Sequence, residues 1–278
     1  MLSRNDLIEY FQKGIADKGK EKIGTEHEKF VYDTSDKSLI PYEGKQSITS
    51  LLKTFIADGW KAKYENDNII ALIKDKASVT LEPGGQFELS GAPLDTVHDT
   101  CREINNHLKF LKSVQEKMGI GFLGIGFLPI EKLDNVPYVP KKRYAEIMRP
   151  YMRKLGGLGL DMMHRSCTVQ ANFDYTSELD MKKKIRVSAC LQPIVTGLFA
   201  NSPFHDGKKN GYQSYRAYVW SKTDKDRTGI LRSMVGKHFS FAEYTDYVLK
   251  VPVYSIIRDG KYINCLDYSF EDLMKNKY

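Results

Sequence analysis

Between Lys61 and Leu89 four short strand-like stretches, Lys61–Tyr64, Ile69–Lys74, Ser78–Leu81 and Gln86–Leu89, follow one another with only polar turns between them. Strands laid down this closely pair antiparallel, because a parallel return needs a crossover of roughly a dozen or more residues. Ile23–Tyr32 alternates in the same way, with Ile23, Thr25, His27, Lys29 and Val31 on one face and Glu26, Glu28 and Phe30 on the other. The glycine-rich Gly121–Phe127 and the alternating Arg165–Tyr175 add two more strands. Helical spacing predicts helices over residues 3–16 with Ser3 as N-cap, over Ser47–Gly59, over Leu94–Met118 ended by Gly119, and over the basic Lys141–Arg153. A last long helix, Ser177–Leu198, carries Pro193 and is expected to kink or break there. Residues 156–159 and Asn201–Gly211 read as loops, and weak strand and helix signals then alternate to Tyr278. Short strands mixed with long helices make an α+β protein with a largely antiparallel sheet.

The chain has 278 residues, 41% of them hydrophobic, which suffices for a sizeable core and excludes a disordered chain. Its net charge of +7 and pI near 9.0 favour anionic partners such as nucleotides and phosphorylated intermediates, although a surplus spread along the chain also serves solubility. No interleaving of basic and aromatic residues points to nucleic acid. Cys101, Cys167, Cys190 and Cys265 are too scattered for a structural zinc site. The start lacks a secretory pattern, and no apolar run approaches the ~20 residues of a membrane helix. A cytoplasmic protein with reduced thiols, bound to neither membrane nor nucleic acid, is the expectation.

Four stretches hold polar residues that core packing does not explain. In Gly24–Lys29, Glu26 and Glu28 project from one strand face; such a pair repels unless a cation sits between, which suits Mg²⁺, although a solvent-facing strand would look the same. In Leu81–Gly91, Gln86 and Glu88 again share a face beside the Pro83-Gly84-Gly85 turn, a pattern also met in a polar hairpin. In Arg165–Asp174, Thr168, Gln170, Asn172 and Asp174 alternate against Cys167, Val169, Ala171 and Phe173, and the amides offer donors and acceptors together. Beyond Ala200, Arg216 and Arg227 are candidate clamps for carboxylate or phosphate, or else ordinary surface ion pairs. Strands carrying Glu-x-Glu, Gln-x-Glu and Gln-x-Asn, with arginine-bearing loops, suit ATP-dependent activation of a carboxylate.

These residues closely resemble the signatures of plant and α-proteobacterial glutamate–cysteine ligases. The likeness runs in family order through Ile23–Phe30, Leu81–Leu94, Phe122–Phe127, Cys167–Asn172, Phe199–Phe204, Trp220 and Asp226–Gly229. It implies the first step of glutathione biosynthesis: ATP phosphorylates the γ-carboxylate of L-glutamate, and the L-cysteine amine then attacks the acyl phosphate to give γ-glutamylcysteine. It also implies a fold similar to glutamine synthetase, with a curved antiparallel sheet and flanking helices. By resemblance, Glu26, Glu28 and Glu88 would hold Mg²⁺. Gln86, Gln170 and Asn172 would lie near metal and nucleotide, and Arg165, Arg216 and Arg227 near substrate carboxylate or phosphate.

The family pattern continues past the position of Tyr278 with a Phe-Pro-Glu-Val-Arg-Leu-Lys type motif. Residues 1–278 therefore read as one catalytic domain, truncated at its C-terminus, with an interrupted loop around Lys275–Tyr278. Its partner would be the absent segment or a second copy. A non-catalytic remnant that still binds nucleotide or glutamate is the competing reading. Cys101 and Cys265 match single members of the cysteine pairs of plant ligases, so disulfide regulation does not carry over.

Overall fold

A computed structural model describes residues 2–275. Helix α1 (Arg4–Lys13) starts at Ser3, whose hydroxyl accepts from the Asp6 N–H while the Asp6 carboxylate accepts from the Ser3 N–H. Strand β1 (Ile23–Asp33) and helix α2 (Ile48–Ala57) follow, and then the predicted run of short strands: β2 (Lys61–Glu65), β3 (Asn68–Lys74), β4 (Ala77–Leu81) and β5 (Phe87–Ser90). Helix α3 (Val97–Met118) ends at Gly119, whose φ of +65° is the left-handed cap that favours glycine, and β6 (Ile120–Leu123) leaves it. Every pairing is antiparallel, in the order β2-β3-β4-β5-β1-β6.

One face of this sheet carries the main core. Val31, Leu72, Val79, Leu81, Phe87 and Leu89 pack against Ile48, Leu51, Leu52 and Phe55 of α2 and Leu111 and Val114 of α3. Because side chains alternate, burying Phe87 and Leu89 sends Glu88 to the opposite face, and burying Val31 does the same for Glu28. The core thus fixes the orientation of the polar residues.

Several elements depart from the sequence expectation. The predicted strand from Arg165 begins later: residues Gly159–Arg165 form helix α5, and only Val169–Phe173 is strand, β7, paired antiparallel with β1. The basic stretch after Lys141 enters as a π-helical turn, Arg143–Met148, and runs into α4 (Arg149–Leu155). Pro150 has no N–H to give, so the ordinary helical register cannot be completed there. Helix α6 (Glu178–Leu198) runs through Pro193 unbroken, losing one hydrogen bond rather than the helix. The glycine-rich strand stops at Leu123, and the loop after Asn201 contains a small hairpin of β8 (Phe204–His205) and β9 (Lys208–Lys209).

Besides two short 3-10 turns, Leu133–Asn135 and Arg232–Val235, the described residues also form α7 (Tyr215–Trp220), α8 (Phe241–Lys250), the hairpin β10 (Ser255–Arg258) with β11 (Lys261–Asn264), and α9 (Phe270–Lys275). Lys275 therefore closes a helix, not a loop; the rest of the expected interrupted loop, residues 276–278, lies outside the described residues. Met181, Phe239 and Phe241 form a smaller core with Ile8 and Phe11 of α1. The result is the expected α+β architecture, a mostly antiparallel sheet with flanking helices, consistent with a glutamine-synthetase-like fold. Among the described residues no helix is long and apolar enough to cross a membrane.

Candidate active site

The sheet face turned away from α2 and α3 is lined by carboxylates. Register sets them in rows: Glu28 lies opposite Glu88 across β1 and β5, and Glu26 lies opposite Gln170 across β1 and β7. The β4–β5 turn adds Glu82, which is paired with Gln86 through its N–H to the Gln86 carbonyl at 3.0 Å. That turn is tight because Gly85 takes φ +80° and the Gly85 N–H returns to the Glu82 carbonyl at 2.9 Å. Glu26, Glu28, Glu82 and Glu88 border one cavity of about 530 Å³, with Arg143, Tyr144, Arg216, Trp220 and Tyr254 on its other walls.

Three of these carboxylates are positioned by a hydrogen-bond donor. Glu26 accepts from Asn172 Nδ2 at 2.9 Å and from Gln170 Nε2. Glu28 accepts from the Thr168 backbone N–H at 2.9 Å, and Glu88 accepts from the Ser90 hydroxyl at 2.6 Å. Burial pushes the Glu28 carboxyl up to about 8, helped by the charges of Glu82 and Glu88 and opposed by the Thr168 N–H and Arg216. Glu82 is also raised, by burial first and Glu88 second, with Lys141 and Arg143 opposing. Lys141, whose ammonium donates to the Leu81 carbonyl at 2.7 Å, is lowered to about 8 by burial despite Glu82. Arg216 stands apart: its Nε is buried without a partner, its guanidinium lies 5.4 Å from the Trp220 ring centre, and no ion pair holds it among the described residues.

This donor set is all hard oxygen, and the crowding that holds Glu28 and Glu82 above the usual carboxylate range would be relieved by a cation. The residues fit Mg²⁺ in that sense. Among the described residues, however, no three acidic, histidine or cysteine side chains gather around a single point. Mg²⁺ does not need that, since it keeps several waters and takes one or two carboxylates together with substrate phosphates.

The profile of the family described as Glutamate-cysteine ligase family 2 (GCS2) matches residues 22–278. The chain belongs to this family. It is 51% identical over 278 residues to the chloroplastic glutamate–cysteine ligase of Medicago truncatula, covering 99% of this chain and 54% of that one. It is likewise 51% identical to the chloroplastic enzyme of Arabidopsis thaliana, covering 52% of it, and 50% identical to chloroplastic glutamate–cysteine ligase A of Oryza sativa subsp. japonica, covering 56%. The chain spans about half the length of the curated relatives it matches. The expectation of a cytoplasmic protein is overturned: these ligases are all described as chloroplastic, a destination that composition does not reveal.

Of the residues singled out from this ligase-family sequence, Glu26, Glu28, Gln86, Glu88, Gln170 and Arg216 line the one cavity, and Asn172 reaches it through Glu26. Gln86 is buried and spends its amide on structure, accepting from the Gly84 N–H and donating to the Met163 and Ser166 carbonyls. Arg165 and Arg227 do not line the cavity. Arg165 is buried against Phe127 and paired with Asp161 and Asp206. Arg227 is caged by Asp224, the Pro252 carbonyl and the rings of Tyr151 and Tyr254. Both were expected beside substrate; instead Arg165, the last residue of α5, is held by Asp161 of its own helix and by Asp206, and Arg227, in the loop after α7, is held by the neighbouring Asp224. Sequence reasoning missed Glu82 and Arg143. Hairpin parity finds Glu82, since it pairs with Gln86 and so shares a face with Glu88; nothing local finds Arg143, which arrives on the π-helical turn.

Proposed function

We propose that this chain carries the metal- and nucleotide-binding part of an ATP-dependent ligase that joins the γ-carboxylate of L-glutamate to the amine of L-cysteine. The observation that carries the reading is the row of four carboxylates facing the uncommitted Arg216 across one cavity, in a chain of the glutamate–cysteine ligase family. Glu26, Glu28 and Glu88, joined by Glu82, would hold Mg²⁺, which when bound neutralises phosphate charge. Gln170 and Asn172 orient Glu26. Arg216 provides a guanidinium for the phosphate or glutamate carboxylate, and Arg165 and Arg227 act as positioning residues for α5 and for the wall around Tyr254. In the reaction a γ-carboxylate oxygen bonds to the terminal phosphorus of ATP and releases ADP. The cysteine nitrogen then bonds to the acyl carbon, losing a proton, and phosphate leaves.

Coupling tests this reading. In the chain joined with the remainder of the family's sequence, ADP should appear only when glutamate and an amine acceptor such as cysteine are both supplied. ADP release with unrelated amino acids, and none with glutamate, would contradict it. The half-length match also favours a second reading, in which this polypeptide binds nucleotide or glutamate without turnover. Calorimetry with ATP and Mg²⁺ on residues 1–278 separates the two when set beside the ADP assay on the same protein.

A further inference from the structure

A second cavity, of about 360 Å³, lies on the sheet's other face, where the end of α2, the β3–β4 turn and the middle of α3 meet. It shares no lining residue with the carboxylate cavity. Phe55, Trp60 and Phe110 give it aromatic walls; the Phe55 ring is centred 5.7 Å from Trp60 and 4.6 Å from Phe110, edge to face in both cases. Its size falls within the range of small-molecule sites, roughly 300–1,000 Å³.

Helix α3 brings two polar side chains to this cavity, Glu103 and His107, one helical turn apart on the same face. The Glu103 carboxylate is held by the Ala92 N–H, which donates to Oε1 at 2.9 Å. Its Oε2 is buried without a partner, and so is Nε2 of His107, a side chain only 8% exposed. A buried polar atom left unpaired costs about 1–3 kcal/mol, and two of them beside one cavity are not explained by core packing. Glu103 makes no ion pair among the described residues. Lys74, the cation nearest the aromatic walls, is already committed to Asp58 at 3.0 Å. Burial lowers His107 to about 3, so the imidazole is neutral and adds no positive charge of its own.

We propose that this cavity is a second binding site, for a small organic ammonium ion with an aromatic body, seated with its nitrogen toward Glu103 and His107 and its ring between Trp60 and Phe110. The carboxylate supplies a charge-assisted hydrogen bond, and the neutral imidazole accepts a further N–H. The aromatic faces attract the same cation, as in aromatic cages that hold ammonium groups. An anion of the same shape would meet the charge of Glu103, and a hydrocarbon would leave both buried atoms unpartnered. The inference concerns binding alone and does not rest on the ligase reading.

Phenethylamine is the probe. The chain has 2 tryptophans, so Trp220→Phe leaves Trp60 as the reporter, and its fluorescence should change saturably with a Kd of roughly 1 mM or tighter. Calorimetry on the unsubstituted chain should give the same affinity at one-to-one stoichiometry. Glu103→Gln keeps an acceptor for the Ala92 N–H and should weaken binding about tenfold, the loss of one charge-assisted hydrogen bond. Ala77→Met adds bulk on the cavity side of β4, where Val79 and Leu81 also point, and should abolish binding with both polar groups intact. Should Ala77→Met fail to fold, Glu103→Gln decides alone. 3-Phenylpropionate, with the same body and the opposite charge, should not bind. Glu28→Gln, in the carboxylate cavity, should leave the affinity unchanged. No saturable response, equal binding of 3-phenylpropionate, full affinity in Glu103→Gln, or loss of affinity in Glu28→Gln would each overturn the proposal.

Discussion

Glu28 is the residue on which the site's charge balance turns. Its carboxyl sits at about 8 against an ordinary 4.5, because burial and two neighbouring carboxylates disfavour its charge. A carboxyl raised in the folded state contributes its stability fully below the unfolded value and loses it as pH rises through the folded one. Metal-free protein should therefore lose thermal stability between about pH 6.5 and pH 8, the part of the Glu28 window above the histidine titrations, and Mg²⁺ should restore it at pH 8. Glu28→Gln should flatten that slope, raise the metal-free melting temperature at pH 8 and abolish the Mg²⁺ response. A wild-type melting temperature independent of pH in chelator would contradict this. The arginines divide on the same logic. Arg165 is buried with two acidic partners, so Arg165→Ala leaves charge unpaired and should destabilise by roughly 3 kcal/mol in denaturant unfolding. Arg216→Ala breaks no ion pair and should leave the unfolding midpoint nearly unchanged while weakening nucleotide or glutamate binding about tenfold or more in calorimetry. Equal stability losses in the two variants would refute the division.

At the scale of elements, the β4–β5 hairpin is held where the site needs it by close backbone approach. A Cβ on Gly84 would be driven into the His164 backbone carbonyl at the end of α5, so nothing larger than glycine fits. Gly84→Ala should destabilise by about 1–3 kcal/mol, the usual effect of overpacking, and should also lower Mg²⁺ affinity because Glu82 and Glu88 move with the hairpin. Full stability with unchanged affinity would show the contact to be dispensable. Helix α3 meets the sheet's other face through His107, buried and stacked on Phe87, whose imidazole is lowered to about 3 by burial and by Lys29 and His27. The unfolded chain takes up that proton near 6.5, so the stability that His107 contributes should decline as pH falls from 6.5 toward 3, opposing the gain at Glu28. His107→Phe should make the acid side of the unfolding profile shallower, and an unaltered profile would exclude His107 as its source.

At the scale of the whole molecule, β7 pairs only with β1 among the described residues, α6 buries only Met181, and the chain spans about half the length of its relatives. Residues 1–278 alone should form γ-glutamylcysteine at least roughly 100-fold more slowly than a full-length relative assayed beside it, since removal of one charge-stabilising donor commonly costs that much. Apolar surface left wet costs about 25 cal/mol per Å² against a folding margin of only about 5–15 kcal/mol, so the short chain should also aggregate on concentration. Near-normal turnover by the short chain would mean that the site is already complete.

Local period determined much of this protein. Strand parity in the amino-acid sequence put Glu26 with Glu28 and Gln170 with Asn172 on single faces, and the spacing of the short strands made the sheet antiparallel, because both depend only on neighbours along the chain. The α3 boundary at Gly119 was legible for the same reason, as was the turn that needs Gly85. Tertiary structure alone decided which charges meet. Arg165 and Arg227 look no different in sequence from Arg216, yet Arg165 also meets the distant Asp206 and Arg227 the distant Pro252 carbonyl and Tyr151, while Arg216 is left facing the carboxylates. The same closure brought Arg143 to the cavity on a π-helical turn and buried Gln86 as a structural amide, because pairings distant in sequence are set by how helices pack on the sheet and not by any pattern a short window of residues contains.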